Sequence, residues 1–363
     1  MSDILKKLEQ LNTLMELSSL INSILDTKEI RKRAIEAATK LMDAEAGSLI
    51  LVDQETGELF FEVALGEKGE KLKEIRLKKG EGIAGWVAEH EEAIIIHDVQ
   101  SDHRFFKTAD EKSTFTTRNM ICVLVKTKDK VLGVLEAINK KHGVFDEEDK
   151  EALMALANQV ATAIENANLY QELKETFYGT AQALAETIEK RDPYTGGHTK
   201  RVMNYSAAIG RALGFSKKEL EDLKLAAILH DVGKIGVRDN VLLKEDKLNP
   251  DELEKMNMHS KYGAEILSHV KQLKDIIPGV RGHHERFDGR GYPDNLSGNE
   301  IPLMARIIAV ADTFDAMTTD RPYRKALGFE TALDVLKKNI GTQFDREVVE
   351  TFIRAWKGLE IVI

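Results

Sequence analysis

A length of 363 residues predicts two or three domains, and 42% hydrophobic with 31% charged residues is enough for each domain to bury a core. The formal net charge of −9 argues against nucleic acid as a bulk partner, because a phosphate backbone requires a basic surface. A small anionic ligand held by a few local cations is compatible with this charge.

The single cysteine, Cys122, lies in an apolar run and is predicted to be a core residue. One cysteine cannot form a disulfide within the chain, which fits a reducing compartment. Lys6 and Lys7 interrupt the start, so no signal peptide is expected, and no apolar run approaches the ~20 residues that span a bilayer. We therefore expect a cytoplasmic protein with no membrane partner.

Residues 1–26 have the apolar spacing of a helix. Leucine or isoleucine recurs every three or four residues, at Leu8, Leu11, Leu14, Leu17, Ile21 and Ile24. Such a stripe needs a partner surface, which is either the next domain or the second chain of a dimer. The spacing alone does not decide between the two.

Residues 27–168 alternate between helical and strand patterns. A helix is predicted over residues 30–42, and a glycine-rich turn at residues 80–87 enters a short helix. Strands are predicted over residues 48–52, 59–64, 93–99, 120–126 and 131–139. An antiparallel sheet flanked by helices fits this order best.

This region resembles a GAF domain. The resemblance rests on Gly-Glu-Gly-Ile-Ala-Gly-Trp-Val at residues 80–87, and on residues 96–99, 102–105, 133–135, 139–140 and 163–170. It implies a sensor for an unknown small ligand, or a dimerisation module. Asn139 and Lys140, with Phe145 and Asp149, partly resemble a motif of cyclic-nucleotide-binding members; the alternative is a salt bridge that closes a helix start.

Residues 147–190 are predicted to form a connecting helix that overlaps both domains. Its apolar stripe runs from Leu153 to Phe177, and no proline interrupts it. Such a helix can carry a rotation or register shift from a sensor to the next domain, or it is a passive linker. Because the stripe needs cover, we expect a homodimer.

Residues 171–363 show repeated helical stripes without two-residue alternation, so this domain is predicted to be all-α. Its polar motifs include five histidines and two aspartates: His198, His230, Asp231, His259, His283, His284 and Asp312. Imidazole and carboxylate are ligands for first-row transition metals. Each residue alone is more often structural, but together in one domain they predict a metal site.

The same domain resembles the HD-GYP family of the HD phosphohydrolases. The resemblance rests on residues 191–198, His-Asp-Val-Gly-Lys at 230–234, His-His-Glu-Arg-Phe-Asp-Gly-Arg-Gly-Tyr-Pro at 283–293, and residues 309–312, 320–324 and 343–345. It implies hydrolysis of cyclic di-GMP to linear pGpG in bacterial second-messenger signalling, regulated by the GAF domain. Further hydrolysis to GMP is left open.

The resemblance also implies residue roles. All seven histidines and aspartates would be metal ligands, with Asp231 bridging two divalent ions, for which iron is usual and manganese a substitute. Asp231 and Lys234 would be catalytic, and Lys234, Tyr292, Arg321 and Arg324 would bind substrate. The Gly-Tyr-Pro segment would shape the pocket mouth or contact a GGDEF-type protein partner. No further cofactor is implied.

One position departs from the pattern. Some family members carry a glutamate four residues before the first histidine, where it helps to hold a third metal, and this chain has Tyr194 there. A phenol with a free pKa of about 10 is a poorer ligand at neutral pH. We therefore expect two metals rather than three.

Two other functions stay open on the sequence. The domain could be a non-catalytic receptor that binds cyclic di-GMP and signals through protein contacts, or it could hydrolyse another cyclic dinucleotide. Retention of the other ligand positions and of Lys234 favours catalysis.

Overall fold

The structure, a computed structural model, describes residues 2–64, 75–106, 110, 115–191, 197–244, 246–320 and 325–358. The chain divides into two compact units, Met1–Lys174 and Glu175–Ile363. The division falls inside one long helix, Glu147–Arg191, which the apolar stripe predicted over almost the same residues. None of the helices in the described ranges combines the length and apolar character that crossing a bilayer requires.

The first unit is built on an antiparallel sheet with the order β3-β2-β1-β6-β5-β4 among the described residues. The strands are β1 (Ala44–Val52), β2 (Leu59–Ala64), β3 (Arg76–Leu77), β4 (Ile94–Ile96), β5 (Met120–Lys126) and β6 (Val131–Lys140). The strand predicted over residues 93–99 is shorter than expected. Its end is set by Asp98, whose carboxylate accepts the Gln100 N–H at 3.1 Å and caps a 3-10 turn.

Helices cover both faces of this sheet. They are α1 (Ser2–Asn22), α2 (Thr27–Leu41), α3 (Gly82–His90) and the first part of α4 (Glu147–Arg191). Alternate residues of each strand point to opposite faces, so Ile121 and Leu135 pack with α2 and α4, while Cys122 and Val134 pack with α3. Cys122 is fully buried, as predicted.

Helix α1 packs onto the core of the first unit. Ile21 is fully buried, and Leu14, Leu17 and Ile24 are partly buried against the same core. The stripe was predicted to pack either on the next domain or on a second chain. For residues 14–24, the structure shows packing on the next domain.

The Asn139-Lys140 motif forms an ion pair at a helix start. The Lys140 ammonium contacts the Asp149 carboxylate and lies 5.5 Å from the centre of the Phe145 ring. Asp149 also accepts the N–H of Asp146, the residue before α4, at 3.0 Å, and Asp146 in turn accepts the first-turn N–H of Asp149 at 2.9 Å. These contacts match the alternative reading of the motif, a salt bridge that closes a helix start.

A buried carboxyl lies in the middle of β6. Glu136 is 5% exposed and accepts hydrogen bonds from the Ser48 hydroxyl at 2.5 Å and the Cys122 thiol at 3.5 Å. Burial raises the pKa of Glu136, although both hydrogen bonds oppose that shift. The folded state therefore binds this proton more tightly than the unfolded chain does. This contribution to stability is complete below the unfolded pKa and is lost as pH rises through the folded pKa.

We expect Glu136→Gln to stabilise the first unit at pH 8 relative to wild type, with the difference shrinking toward pH 5. The amide stays neutral and avoids the cost of burying a charge. Calorimetry of the full chain at several pH values measures this, with Glu55→Gln in the exposed β1–β2 turn as control. A variant that is less stable at every pH would mean that the two accepted hydrogen bonds outweigh burial.

The second unit is helical, as predicted. After the end of α4 its helices are α5 (His198–Ala212), α6 (Lys217–Leu229), α7 (Asp239–Leu242), α8 (Pro250–Asn257), α9 (His259–Ser268), α10 (Ile277–Gly282), α11 (Leu303–Thr318), α12 (Phe329–Lys338) and α13 (Arg346–Lys357). Capping boxes start α6 at Ser216 and α8 at Asn249. Tyr205 of α5 packs edge-on against Phe314 and Phe352 in the core. This core holds α5, α6 and α11 together, and these helices carry or flank the polar motifs.

Candidate metal centre

The four most buried histidines stand at helix ends. His198 and His259 are the first residues of α5 and α9, and His230 and His283 directly follow α6 and α10. All four are at most 4% exposed. The end of a helix thus holds each of these four imidazoles in place.

Asp231 lies between two sets of imidazoles. Its Oδ2 is 3.4 Å from His230 Nε2 and 4.0 Å from His198 Nε2, whereas its Oδ1 is 3.5 Å from His259 Nε2. Two groups have ligand atoms within 4.8 Å of one another, and they share this residue: His198, His230 and Asp231, and Asp231, His259, His283 and His284. Each carboxylate oxygen therefore faces a different group.

The hydrogen bonds of three histidines determine which nitrogen carries the proton. Nδ1 faces a backbone carbonyl in His230 (2.8 Å to Ala227), His259 (2.7 Å to Met256) and His283 (2.6 Å to Val280). A carbonyl only accepts, so each Nδ1 donates and each Nε2 of the neutral ring carries a lone pair. Ligating histidines are usually oriented in this way.

The lone pairs meet without a donor between them. Burial lowers the pKa of His259 and of His283, so both rings are neutral at pH 7. Their Nε2 atoms nevertheless lie 3.4 Å apart. Two buried acceptors at this distance need a cation, and imidazole nitrogen with carboxylate oxygen suits a first-row transition metal. The donor set therefore fits a metal centre.

His198 is oriented by a carboxylate instead of a carbonyl. Its Nδ1 lies 2.8 Å from Asp315 Oδ2, and Asp315 in turn accepts from Arg201 Nε at 2.5 Å. Asp312, three residues earlier on α11, approaches His198 Nε2 at 3.5 Å. Neither Asp315 nor Arg201 was predicted from the sequence. The available signal was the i, i+3 spacing of two aspartates in an apolar helix, which puts both on one face.

Lys234 provides positive charge at the centre. Its Nζ is 2.8 Å from Asp231 Oδ2. Burial by itself would raise the pKa of Asp231, but the neighbouring Lys234 ammonium opposes burial, and that pKa lies well below its usual range. Asp231 is therefore a carboxylate at neutral pH, which is the form that binds metal.

The Gly-Tyr-Pro segment packs against His284. The Tyr292 ring lies 4.8 Å from the His284 ring at an interplanar angle of 31°. Burial raises the pKa of Tyr292 further above its normal value, so the phenol stays neutral. The buried Glu285 holds the loop, because its carboxylate accepts the N–H groups of Asp294 at 2.6 Å and Leu296 at 3.1 Å. Glu285 was not predicted to have this role.

The 3-10 turn Val232–Gly236, which carries Lys234, touches α9 through a glycine. A Cβ atom on Gly233 would lie 1.8 Å from the His259 carbonyl oxygen and 2.4 Å from the Gly263 nitrogen. We expect Gly233→Ala to destabilise the second unit by about 3 kcal/mol, because the turn and helix must separate.

Gly179→Ala is the matched control for this glycine substitution. Gly179 lies inside α4, where an added Cβ meets nothing within 4 Å. We expect this variant to gain about 0.5–1 kcal/mol from better helix propensity. Denaturant unfolding measures both variants, and equal stabilities would contradict the predicted close approach at Gly233.

The structure places six of the predicted ligands in the two groups and Asp312 beside His198. Lys234 and Tyr292 lie next to Asp231 and His284. The predicted substrate residues Arg321 and Arg324, and Tyr194 of the two-metal argument, lie outside the described residues. Their roles stay predictions.

Comparison with known proteins gives matches to two domain families and to curated relatives. Residues 25–165 match the GAF domain and residues 182–348 match the HD domain. Over 192 residues the chain is 42% identical to the cyclic di-GMP phosphodiesterase response regulator RpfG of Xanthomonas campestris pv. campestris, covering 52% of this chain and 50% of that protein.

Two further relatives are also named as phosphodiesterases of cyclic dinucleotides. Over 214 residues the chain is 35% identical to the 3′3′-cGAMP-specific phosphodiesterase 2 of Vibrio cholerae, covering 58% of this chain and 41% of that protein. Over 194 residues it is 38% identical to a cyclic di-GMP phosphodiesterase of Thermotoga maritima, covering 52% of each. The chain spans about half the length of the curated relatives it matches. It belongs to the proteins in which a GAF domain, here residues 25–165, is followed by an HD domain, here residues 182–348.

Proposed function

We propose that the chain is a metal-dependent phosphodiesterase that hydrolyses cyclic di-GMP to linear pGpG. The observation that carries this proposal is Asp231, whose two oxygens face two separate sets of imidazole nitrogens while Lys234 lies 2.8 Å away. The names of the similar phosphodiesterases from Xanthomonas and Thermotoga support the substrate. The HD-GYP resemblance of residues 283–293 supports the same subtype.

The proposed cofactors are two divalent ions, iron or manganese, held by the seven predicted ligands: His198, His230, Asp231, His259, His283, His284 and Asp312. Bound ions of this kind lower the pKa of a water molecule and polarise phosphoryl oxygens. The neutral rings of His259 and His283 and the ionised Asp231 keep these three ligands deprotonated at pH 7.

The remaining proposed roles belong to side chains around the centre. The Lys234 ammonium offsets negative charge that builds on the phosphoryl oxygens during cleavage. Tyr292, whose ring lies 4.8 Å from that of His284, borders the substrate pocket and contacts the dinucleotide. Arg321 and Arg324 bind its phosphates or guanines.

A second candidate substrate is 3′3′-cGAMP, because a Vibrio cholerae relative 35% identical over 214 residues is named for that activity. The two dinucleotides differ in one base, so their phosphates can reach the same centre. Side-by-side measurement of kcat/KM separates the candidates. A value at least tenfold higher for cGAMP would replace cyclic di-GMP as the proposed substrate.

We also propose that the GAF domain regulates this activity by binding a small ligand, and that the protein is a homodimer. Leu169, Tyr170 and Leu173 of α4 are each more than 50% exposed, and a second copy of the helix would cover them. Sedimentation at micromolar concentration tests the dimer, and a monomer there would contradict it. The Gly-Tyr-Pro loop is the proposed contact for a GGDEF-type partner.

The decisive experiment is hydrolysis of cyclic di-GMP by protein purified without oxygen, with bound metal counted in the same sample. We expect pGpG and about two metals per chain. Tight binding without turnover in fully metallated protein would favour the receptor alternative. Three tightly held metals would contradict the argument from Tyr194.

A further inference from the structure

The last residue of α4 binds the turn that carries Lys234. The Arg191 guanidinium donates to the carbonyls of Val237 at 2.9 Å, Ile235 at 3.1 Å and Lys234 at 3.4 Å. It also donates through Nε and Nη2 to Asp239 Oδ1, at 3.0 and 2.6 Å. One side chain thus contacts residues 234–239, which are the second half of the turn and the residues that follow it.

On its other side, the turn packs closely against α9 through Gly233. Its backbone is a single 3-10 turn, Val232–Gly236, and Ile235 is 52% exposed. Short 3-10 turns have poor hydrogen-bond geometry and depend on neighbouring contacts. The position of the Lys234 ammonium relative to Asp231 therefore also depends on side chains that bind the exposed side of the turn.

A second contact ties the same helix end to the centre. The Glu189 carboxylate accepts the N–H of Thr199, the residue after His198. A small cavity is lined by Glu189, Thr199, Asp231 and Lys234, together with apolar side chains of α4 and α6. The final turn of α4 thus contacts the backbone beside two of the candidate active-site segments.

We propose that Arg191 is a positioning residue, which holds the turn Val232–Gly236 so that Lys234 stays directed at the phosphoryl site. Because α4 begins at Glu147 in the first unit, the same contact makes Lys234 sensitive to the position of the helix end. This inference rests on the proposed function, since it names a residue that acts through Lys234.

The test is a double-mutant cycle on the full chain. We expect Arg191→Gln to lower kcat for cyclic di-GMP by about 10–100-fold with a much smaller change in KM, because misplacing a catalytic group by ~1 Å has an effect of that size. Arg191→Lys should be intermediate, since an ammonium reaches only some of the acceptors. In a Lys234→Ala background, Arg191→Gln should cost less than about threefold, because the group it positions is absent.

Arg238→Gln is the matched control, because it removes the same charge from an exposed arginine next to the turn. It should leave kcat within about twofold of wild type. Equal losses from Arg191→Gln in both backgrounds, or a loss from Arg238→Gln as large as that from Arg191→Gln, would overturn the proposal.

Hydrogen–deuterium exchange supplies a readout independent of activity. Amides of residues 232–237 should exchange at least about tenfold faster in Arg191→Gln than in wild type, while peptides from residues 27–168 are unchanged. Unchanged exchange in the turn would overturn the positioning role. If wild type hydrolyses neither dinucleotide, the proposed function fails, and exchange still decides whether Arg191 holds the turn.

Discussion

Replacing Asp231 by asparagine is expected to lower kcat by about 1,000-fold or more and to reduce bound metal. Asp231 is shared by both ligand groups, with Oδ1 toward His259 and Oδ2 toward His230. An asparagine keeps the shape but offers one neutral oxygen, and its NH2 group would face an imidazole lone pair. Groups that act as a unit in catalysis show losses of this size when one is removed.

Metal counting and single-turnover kinetics on the same preparation measure both effects. Asp275→Asn is the matched control, because it makes the same substitution at an aspartate whose side chain is 64% exposed. We expect the control to keep its metal and its rate. An Asp231→Asn protein with full metal and near-normal turnover would show that Asp231 does not join the two groups.

Lys234→Ala is expected to lower kcat by about 100–1,000-fold while the metal content stays close to that of wild type. The lysine is not in either ligand group, yet its ammonium lies 2.8 Å from Asp231 Oδ2. Removing one preorganised group that stabilises transition-state charge has an effect of this size. The combination of lost rate and retained metal distinguishes a catalytic cation from a residue that only maintains the site.

Lys337→Ala in α12 controls for the loss of a lysine at a surface position, where the side chain is 47% exposed. Steady-state kinetics and metal counting are measured together for both variants. If Lys234→Ala loses metal in proportion to its rate, Lys234 supports the ligands rather than the reaction. That result would also remove the basis for a positioning role of Arg191.

Local sequence was sufficient to predict most elements of the first unit and the helical class of the second, whereas the short strand β3 (Arg76–Leu77) was not predicted. Apolar spacing predicted α2 and α4, and the run after Met120 predicted β5. The polar residues that interrupt apolar helices, such as His230 and Asp312, identified candidate ligands because such groups are costly to bury without a partner.

Only the tertiary structure decided which of these residues meet. Asp315 reaches His198 across 117 positions in the chain, and Arg191 reaches Asp239 across 48. Spacing in sequence constrains neighbours on one helix, but it does not determine the distance between side chains on different helices. The same limit applied to α1. Its stripe predicted an apolar face, but only the structure showed that Ile21 on this face packs against the core of its own domain. Sequence thus determined residue types and local elements, whereas long-range packing decided the orientation of Asp231 and the residues that support it.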